Sequence, residues 1–393
     1  MAFDRIEFFR ICMDIEKYLG YLRANELALE YYDTLNREPI PMAELYQEHF
    51  VSLRDWKTPC PDEKFSITAQ FGPRVWVPFD ATQSELDTID EQVRTNLTTA
   101  YENGIGWADG MALDMNETCQ QFSHPDTASM AKSVRDMMTN VVEELELGAK
   151  DAWTDIGKYV GMWRGEAATA FFNFHTNYND ALSLFAHMGV QLGAGFAGAT
   201  AVIHGTQETA MKFVESVREA LEGMLWLWTE VGLQQPPEPS LDIDVGKILK
   251  IADGVWSLLQ LIPPVAAATK GVNTAVQGIK TVNSIVQAAG GGGEVDIHPE
   301  PYAFTDWTAN GLYTKIFDVL YEEIYQKYVE AMDDLHVGGG PANPEDADAV
   351  PFSSKAVEQH MLELQGPRNE WELEPVSPGN LNGGDNKVPY GDL

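Results

Sequence analysis

Two long amphipathic runs of helical period meet at Gly161-Met162-Trp163-Arg164-Gly165-Glu166-Ala167-Ala168, and this junction limits the fold more than any other stretch. Gly165 lacks a Cβ and can take turn dihedrals closed to other residues. Trp163 is large enough to fill the space where two helices meet. If it does so fully buried, Trp163→Ala costs ~3–5 kcal/mol. Glu166 and the alanines behind it open a second helix well, with an acid in the first turn and strong helix formers following.

Helical spacing dominates the rest of the chain. Phe8, Ile11, Cys12, Ile15, Tyr18, Leu19 and Leu22 recur at three- and four-residue steps, which predicts one helix over residues 3 to about 35. Pro39 and Pro41 end it, and a short helix is expected at about 43–53. Residues 54–83 change character: Phe65 to Phe71 and Val75 to Phe79 are β-prone between prolines, which fits a small hairpin or an ordered loop. Ala81-Thr-Gln-Ser-Glu85 is a helix start, and the helix reaches about Cys119, weakened at Gly104, Gly106 and Gly110. A turn at Ser123-His-Pro-Asp precedes a helix over about 127–162. Met130, Val134, Met137, Met138, Val141, Val142 and Leu145 line one side of it. Beyond the Trp-x-Gly corner the helix runs to about Trp228, with a break expected near Gly205. A Pro-rich linker at 234–240 introduces a second helical segment over 241–336, interrupted at Pro263-Pro264 and by a loop at 294–307, with a last helix over 308–336. Residues 337–393, rich in Gly, Pro, Asn and acids, have the composition of a disordered tail.

The expected fold class is therefore all-α: an elongated antiparallel helical bundle built around a helix-turn-helix hairpin. Its parts are N-terminal helices (1–53), a loop or small hairpin (54–83), a helical bundle (84–233), a second helical segment (241–336) and an acidic tail (337–393).

Charge narrows the function. With 26 Lys+Arg against 60 Asp+Glu, the formal net charge is −34, a surface that repels nucleic acid. It suits a soluble chain, or one kept soluble while carried between compartments. Cys12, Cys60 and Cys119 are far apart and odd in number, so they form no disulfide framework and no zinc spacing. The N-terminal Met-Ala-Phe-Asp-Arg-Ile-Glu carries early acids and lacks the apolar core of a secretory signal.

The corner has a family likeness. Trp163-Arg164-Gly165 followed by Glu-Ala-Ala-Thr-Ala-Phe-Phe resembles the Trp-x-Gly-x-Ala-Ala-x-x-Phe pattern of the WXG family of type VII secretion proteins. Residues about 113–213 are similar to one such module of roughly one hundred residues, and the helices before it resemble the extension seen in EspB-type members. The resemblance implies a substrate or secreted accessory that acts by protein–protein interaction. It also implies a cytoplasmic protein that reaches the outside or the cell surface without a cleaved signal peptide. The partners it implies are the secretion ATPase and a small WXG-type protein.

The family's export signal is Tyr-x-x-x-Asp/Glu after the second hairpin helix, and three stretches compete for it. His204-Gly-Thr-Gln-Glu208 stands at about the family distance with His in place of Tyr. Trp226-Leu-Trp-Thr-Glu230 has an aromatic and an acid at the right spacing, farther along. Tyr302-Ala-Phe-Thr-Asp306 carries the letters in a stretch read as loop. An aromatic and an acid four apart share one helix face and suit a two-point contact.

Residues 181–207 contain no Asp, Glu, Lys or Arg, and Gly189, Gly193, Ala197 and Ala201 recur at steps of four. Such a stripe admits a close helical neighbour. Three readings stand: a buried packing face, a self-association face, or conditional membrane insertion, for which 255–286 is a second candidate. No Gly-x-Ser-x-Gly, P-loop or dinucleotide motif occurs, and the eight histidines are scattered, so neither catalysis nor a cofactor or metal is expected. The alternatives to a secreted binding protein are a membrane-active or pore-forming helical protein and an intracellular helical scaffold.

Overall fold

The computed structural model describes residues 3–37, 45–69, 71–124, 126–237, 242–244, 301–303, 306–326, 328–330 and 332. Of this part, 77% is helical with little sheet, which agrees with a mostly α fold. Seven helices are labelled in chain order: α1 (Arg5–Arg37), α2 (Gln83–Asp109), α3 (Ala112–Ser123), α4 (Thr127–Met137), α5 (Lys150–Val160), α6 (Glu166–Val231) and α7 (Ala309–Asp318). A π-helical stretch, Met138–Ala149, joins α4 to α5, and another, Val319–Tyr325, continues α7.

The centre of the lower part, the base, is α1. Its expected apolar face is buried, and so are Tyr21, Ala24, Asn25 and Ala28, because neighbours enclose it on several sides. The α2 helix passes through Gly104 and Gly106 unbroken and ends at Asp109. At Gly104 the missing side chain lets α2 lie against the backbone of Ala24. The start of α2 is fixed by a capping box: the Thr82 backbone N–H donates to Glu85 Oε2 (2.7 Å) and the Glu85 N–H donates to Thr82 Oγ1 (3.4 Å).

The helix expected at 43–53 is instead a strand. Strand β1 (Tyr46–Phe50) pairs antiparallel with β2 (Arg74–Pro78), with Glu48 opposite Trp76. Tyr46, Glu48 and Phe50 face water while Gln47 and His49 are half-buried, a period of two. The Val-Trp-Val of β2 offers a β-branched partner edge, and pairing overrides the weak local helical preference. His49 Nε2 lies 2.7 Å from Asp90 Oδ1 and ties the hairpin to α2. Val51, Leu53, Phe65 and Ile67, between the strands, are buried in the base.

The last helix docks on the base. Glu26 Oε1 accepts from the Ala309 N–H at 2.7 Å. The rings of Trp107 and Tyr313 meet edge to face at 6.1 Å, and those of Phe122 and Tyr325 at 6.3 Å. Where a helix was expected to begin at 242, strand β3 (Asp242–Asp244) pairs antiparallel with β4 (Pro301–Ala303), which lies in the stretch expected as loop. The expected helices within 245–300, the membrane-contact candidate 255–286 and the tail 337–393 lie outside the described residues.

No break occurs near Gly205. With 66 residues, α6 is ~100 Å long. Its C-terminal third, from Ala210 to Trp228, contributes to the base core beside Phe8, Leu19, Leu22 and Leu97. Its middle forms a second core with α4 and the π-helical stretch. The junction between the two cores is tied by Gln207, whose Nε2 donates to the Phe122 carbonyl at 2.9 Å.

Candidate functional site at the Trp-x-Gly hairpin

The α4–π–α5 run and the N-terminal half of α6 form a two-helix arm that turns at residues 161–165. Gly165 has φ 98° and ψ −179°, a region essentially reserved for glycine, so the sequence requirement at this position is met by the backbone itself. The turn is closed by the Trp163 N–H donating to the Val160 carbonyl (3.0 Å) and the Thr169 N–H donating to the Gly165 carbonyl (3.1 Å).

Trp163 does not fill the corner. It is 54% exposed, and its ring meets Phe171 at 5.8 Å between centroids. Around it Tyr159 and Met162 are 82% and 85% exposed. The turn is so tight that the two helix ends leave no interior for an indole, and the ring lies along the side of α6.

The hairpin is instead locked two to three turns below its end. Trp153 Nε1 donates to the His175 carbonyl at 3.0 Å, and His175 Nε2 lies 2.7 Å from the Trp153 carbonyl. The two rings stack at 5.3 Å with an 11° interplanar angle, and Tyr178 closes on Trp153 at 4.6 Å. A Cβ at Gly157 would lie 2.8 Å from His175 Nε2, so a larger residue there would push the ring away. Sequence reasoning misses this pair. A signal for it exists: Trp153 and His175 stand eleven residues before and after Arg164, and residues equidistant from a hairpin turn face each other.

The small-residue stripe is an internal packing face. A Cβ on Gly189 would come within 2.6 Å of Val142 Cγ2, and one on Gly193 would strike Met138. Ala197 and Ala201 are buried in the same core with Val134. The self-association reading of these four residues is therefore corrected: the face is already occupied by α4 and the π-helical stretch. The 181–207 stretch lies within α6, and no helix among the described residues is long and apolar enough to cross a membrane.

The three export-signal candidates are scattered. His204 is half-buried at the junction, its Nδ1 has no hydrogen-bond partner, and burial holds its imidazole below the ordinary range. Glu208 is exposed and pairs with Lys212 at 3.3 Å. Trp226 and Glu230 are both exposed on the last turns of α6, with the Trp226 ring edge-on to Phe65 at 5.7 Å. Tyr302 lies in β4 opposite Ile243 rather than in a loop, and Asp306 Oδ1 accepts from the Thr308 N–H at the start of α7. The Trp-x-Gly turn and the Trp226–Glu230 pair are ~90 Å apart along α6.

Among the described residues, no group of three His, Cys, Asp or Glu side chains comes together as a metal site. Comparison with protein-family models, curated proteins and solved structures finds no match for this chain.

Proposed function

We propose that this chain is a substrate or secreted accessory of a type VII secretion system, working by protein–protein contact. The observation that supports the reading best is the turn itself. A Trp-x-Gly sequence sits at the apex of two long antiparallel helices, with its glycine in a conformation other residues avoid. The exposed Tyr159, Met162 and Trp163 make that apex a surface to be recognised rather than a packed corner.

Of the candidate signals, Trp226 with Glu230 fits a two-point contact best, because both side chains face water one helical turn apart. The secretion ATPase, or a small Trp-x-Gly partner travelling with the chain, is the expected reader. The test is export from a host that carries such a system. Secretion of the chain should stop when the ATPase gene is deleted, and should fall at least tenfold in Trp226→Ala/Glu230→Ala. Undiminished export without the ATPase would overturn the assignment. Undiminished export of the double variant would move the signal to a partner.

A further inference from the structure

The far end of the arm gathers large apolar side chains in water. Ile156 and Tyr159 stand one turn apart at the end of α5, and Met162 and Trp163 follow in the turn; all four are exposed. At ~200 Å² for a large side chain they present about 500 Å² between them, a patch of the size that marks a contact site for protein or membrane. Two of the four are Tyr and Trp, side chains with an apolar body and a polar edge that settle where hydrocarbon meets water. The set from Ile156 to the turn occupies the last ~9 Å of the arm, close to the 5–10 Å to which an interfacial element enters a bilayer.

We propose that this tip is a lipid contact: it dips into the surface of a bilayer without crossing it, and the arm holds the base away. Charge decides for lipid. Residues 156–179 carry Lys158 and Arg164 against Glu166, and Lys158 is bridged to Asp155 at 2.7 Å. Counting these four the tip is neutral, so the formal −34 of the chain lies elsewhere. From Gly165 to Ala210, where the base core begins, α6 runs ~68 Å. That distance is many times the ~8 Å over which charges act in physiological salt, so the acids of the base do not oppose approach to a membrane surface. The long Lys158 and Arg164 side chains can keep their charges among the headgroups while their stems lie in the apolar layer.

Shape points the same way. The tip is the convex end of a hairpin and falls short of the ~800 Å² that each partner brings to a stable protein interface. A fluid bilayer needs no matching concave surface. Below the tip, the Trp153–His175 lock joins the two helices by paired hydrogen bonds and a stacked ring pair, so the arm can carry the load of insertion. No helix among the described residues is long and apolar enough to cross a membrane, which limits the contact to the surface. The proposal goes beyond the secretion reading and does not rest on it, because purified chain and vesicles contain no secretion machinery.

The test is flotation of the full-length chain with vesicles of phosphatidylcholine, alone and with added phosphatidylglycerol. The chain is expected to float with both, and the bound fraction to change less than twofold with the anionic lipid or with high salt, because the tip is neutral. Tyr159→Ser/Met162→Ser/Trp163→Ser should lower vesicle partitioning at least tenfold while thermal melts show the fold intact, since all three side chains already face water. A second readout places a polarity-sensitive dye on Met162→Cys in a Cys119→Ser background, Cys12 and Cys60 being buried. Its emission should shift to the blue on adding vesicles, and the same dye on Leu192→Cys should not respond. Absence of flotation would overturn the proposal and turn the tip over to a protein partner. Flotation that survives the triple substitution, or a dye response at Leu192→Cys without one at Met162→Cys, would assign lipid binding to another surface and overturn it as well.

Discussion

In the base, α1 is enclosed by α2, α3, α7 and the last third of α6, and its interior is filled with large side chains such as Trp228, Tyr101, Phe8 and Phe213. In the arm two helical runs meet, and their shared core is made of Ala186, Ala194, Ala197 and Ala201 against Val134, Met138 and Val142, with Tyr328 and Met332 packed against it. The first arrangement draws stability from apolar area removed from water. The second draws it from close backbone approach along a glycine and alanine seam. With just two layers the arm can bury one face of each helix, which leaves Phe185, Leu192 and Phe196 in water. A chain that lengthens a bundle by extending only two of its helices thus gains reach and loses cover.

Truncation of a base residue should have the largest effect. Phe213 is fully buried, and Phe213→Ala is expected to lower stability by about 3–5 kcal/mol in urea melts. A loss near 1 kcal/mol would erase the distinction between the regions. In the arm the harmful change is enlargement. Gly193→Leu would drive a side chain into Met138 and should cost roughly 1–3 kcal/mol. Hydrogen exchange should accelerate in α4 and the π-helical stretch while α1 and α2 keep their protection; uniform acceleration would show that the two cores open as one.

Trp163→Ala should cost about 1 kcal/mol or less in the same melts, because half of the indole is already in water and one ring contact is lost. A cost above 3 kcal/mol would restore the indole as the filler of the corner.

The smallest effect concerns acidity at the junction. Burial holds the His204 imidazole below its ordinary range, opposed by nearby Glu208. The unfolded chain therefore binds that proton more readily than the folded one, and stability falls as pH drops through the ordinary histidine range near 6.5. His204→Gln should flatten the thermal midpoint between pH 7.5 and 5.5 relative to the native chain; an unchanged slope would remove His204 as its source.

Much of the helical fold is legible in the sequence, for identifiable reasons. The helices α1, α2 and α6 carry long apolar periodicity, and Thr82 with Glu85 spells its cap in the right order. The need for glycine at 165 follows from a turn between two helices, and the structure meets it. What the sequence hides depends on partners distant in the chain. The stretch at 46–50 is a strand because β2, about thirty residues on, pairs with it. Gly104 and Gly205 look like breaks, yet each is buried within a continuous helix. Trp163 looks like a core residue when size is weighed without the width of the turn, and the true lock, Trp153 with His175, is recorded only as symmetry about Arg164. The four-step stripe on α6 announces a packing face among its alternatives, and which helix fills it shows only in the structure.

The continuity of α6 has a consequence for how the arm comes to exist. Starting a helix is the unfavourable step and extending one is easy. The last third of α6 is embedded in the base, so a folded base presents the arm with a helix already begun at about Ala210. The arm then grows outward like a zipper, each turn of α6 meeting the returning chain across the hairpin, until Gly165 closes the end. Opening retraces that path from the other side, beginning at the turn and fading toward the junction, so the exposed turn is expected to be the least protected part of the arm in hydrogen exchange.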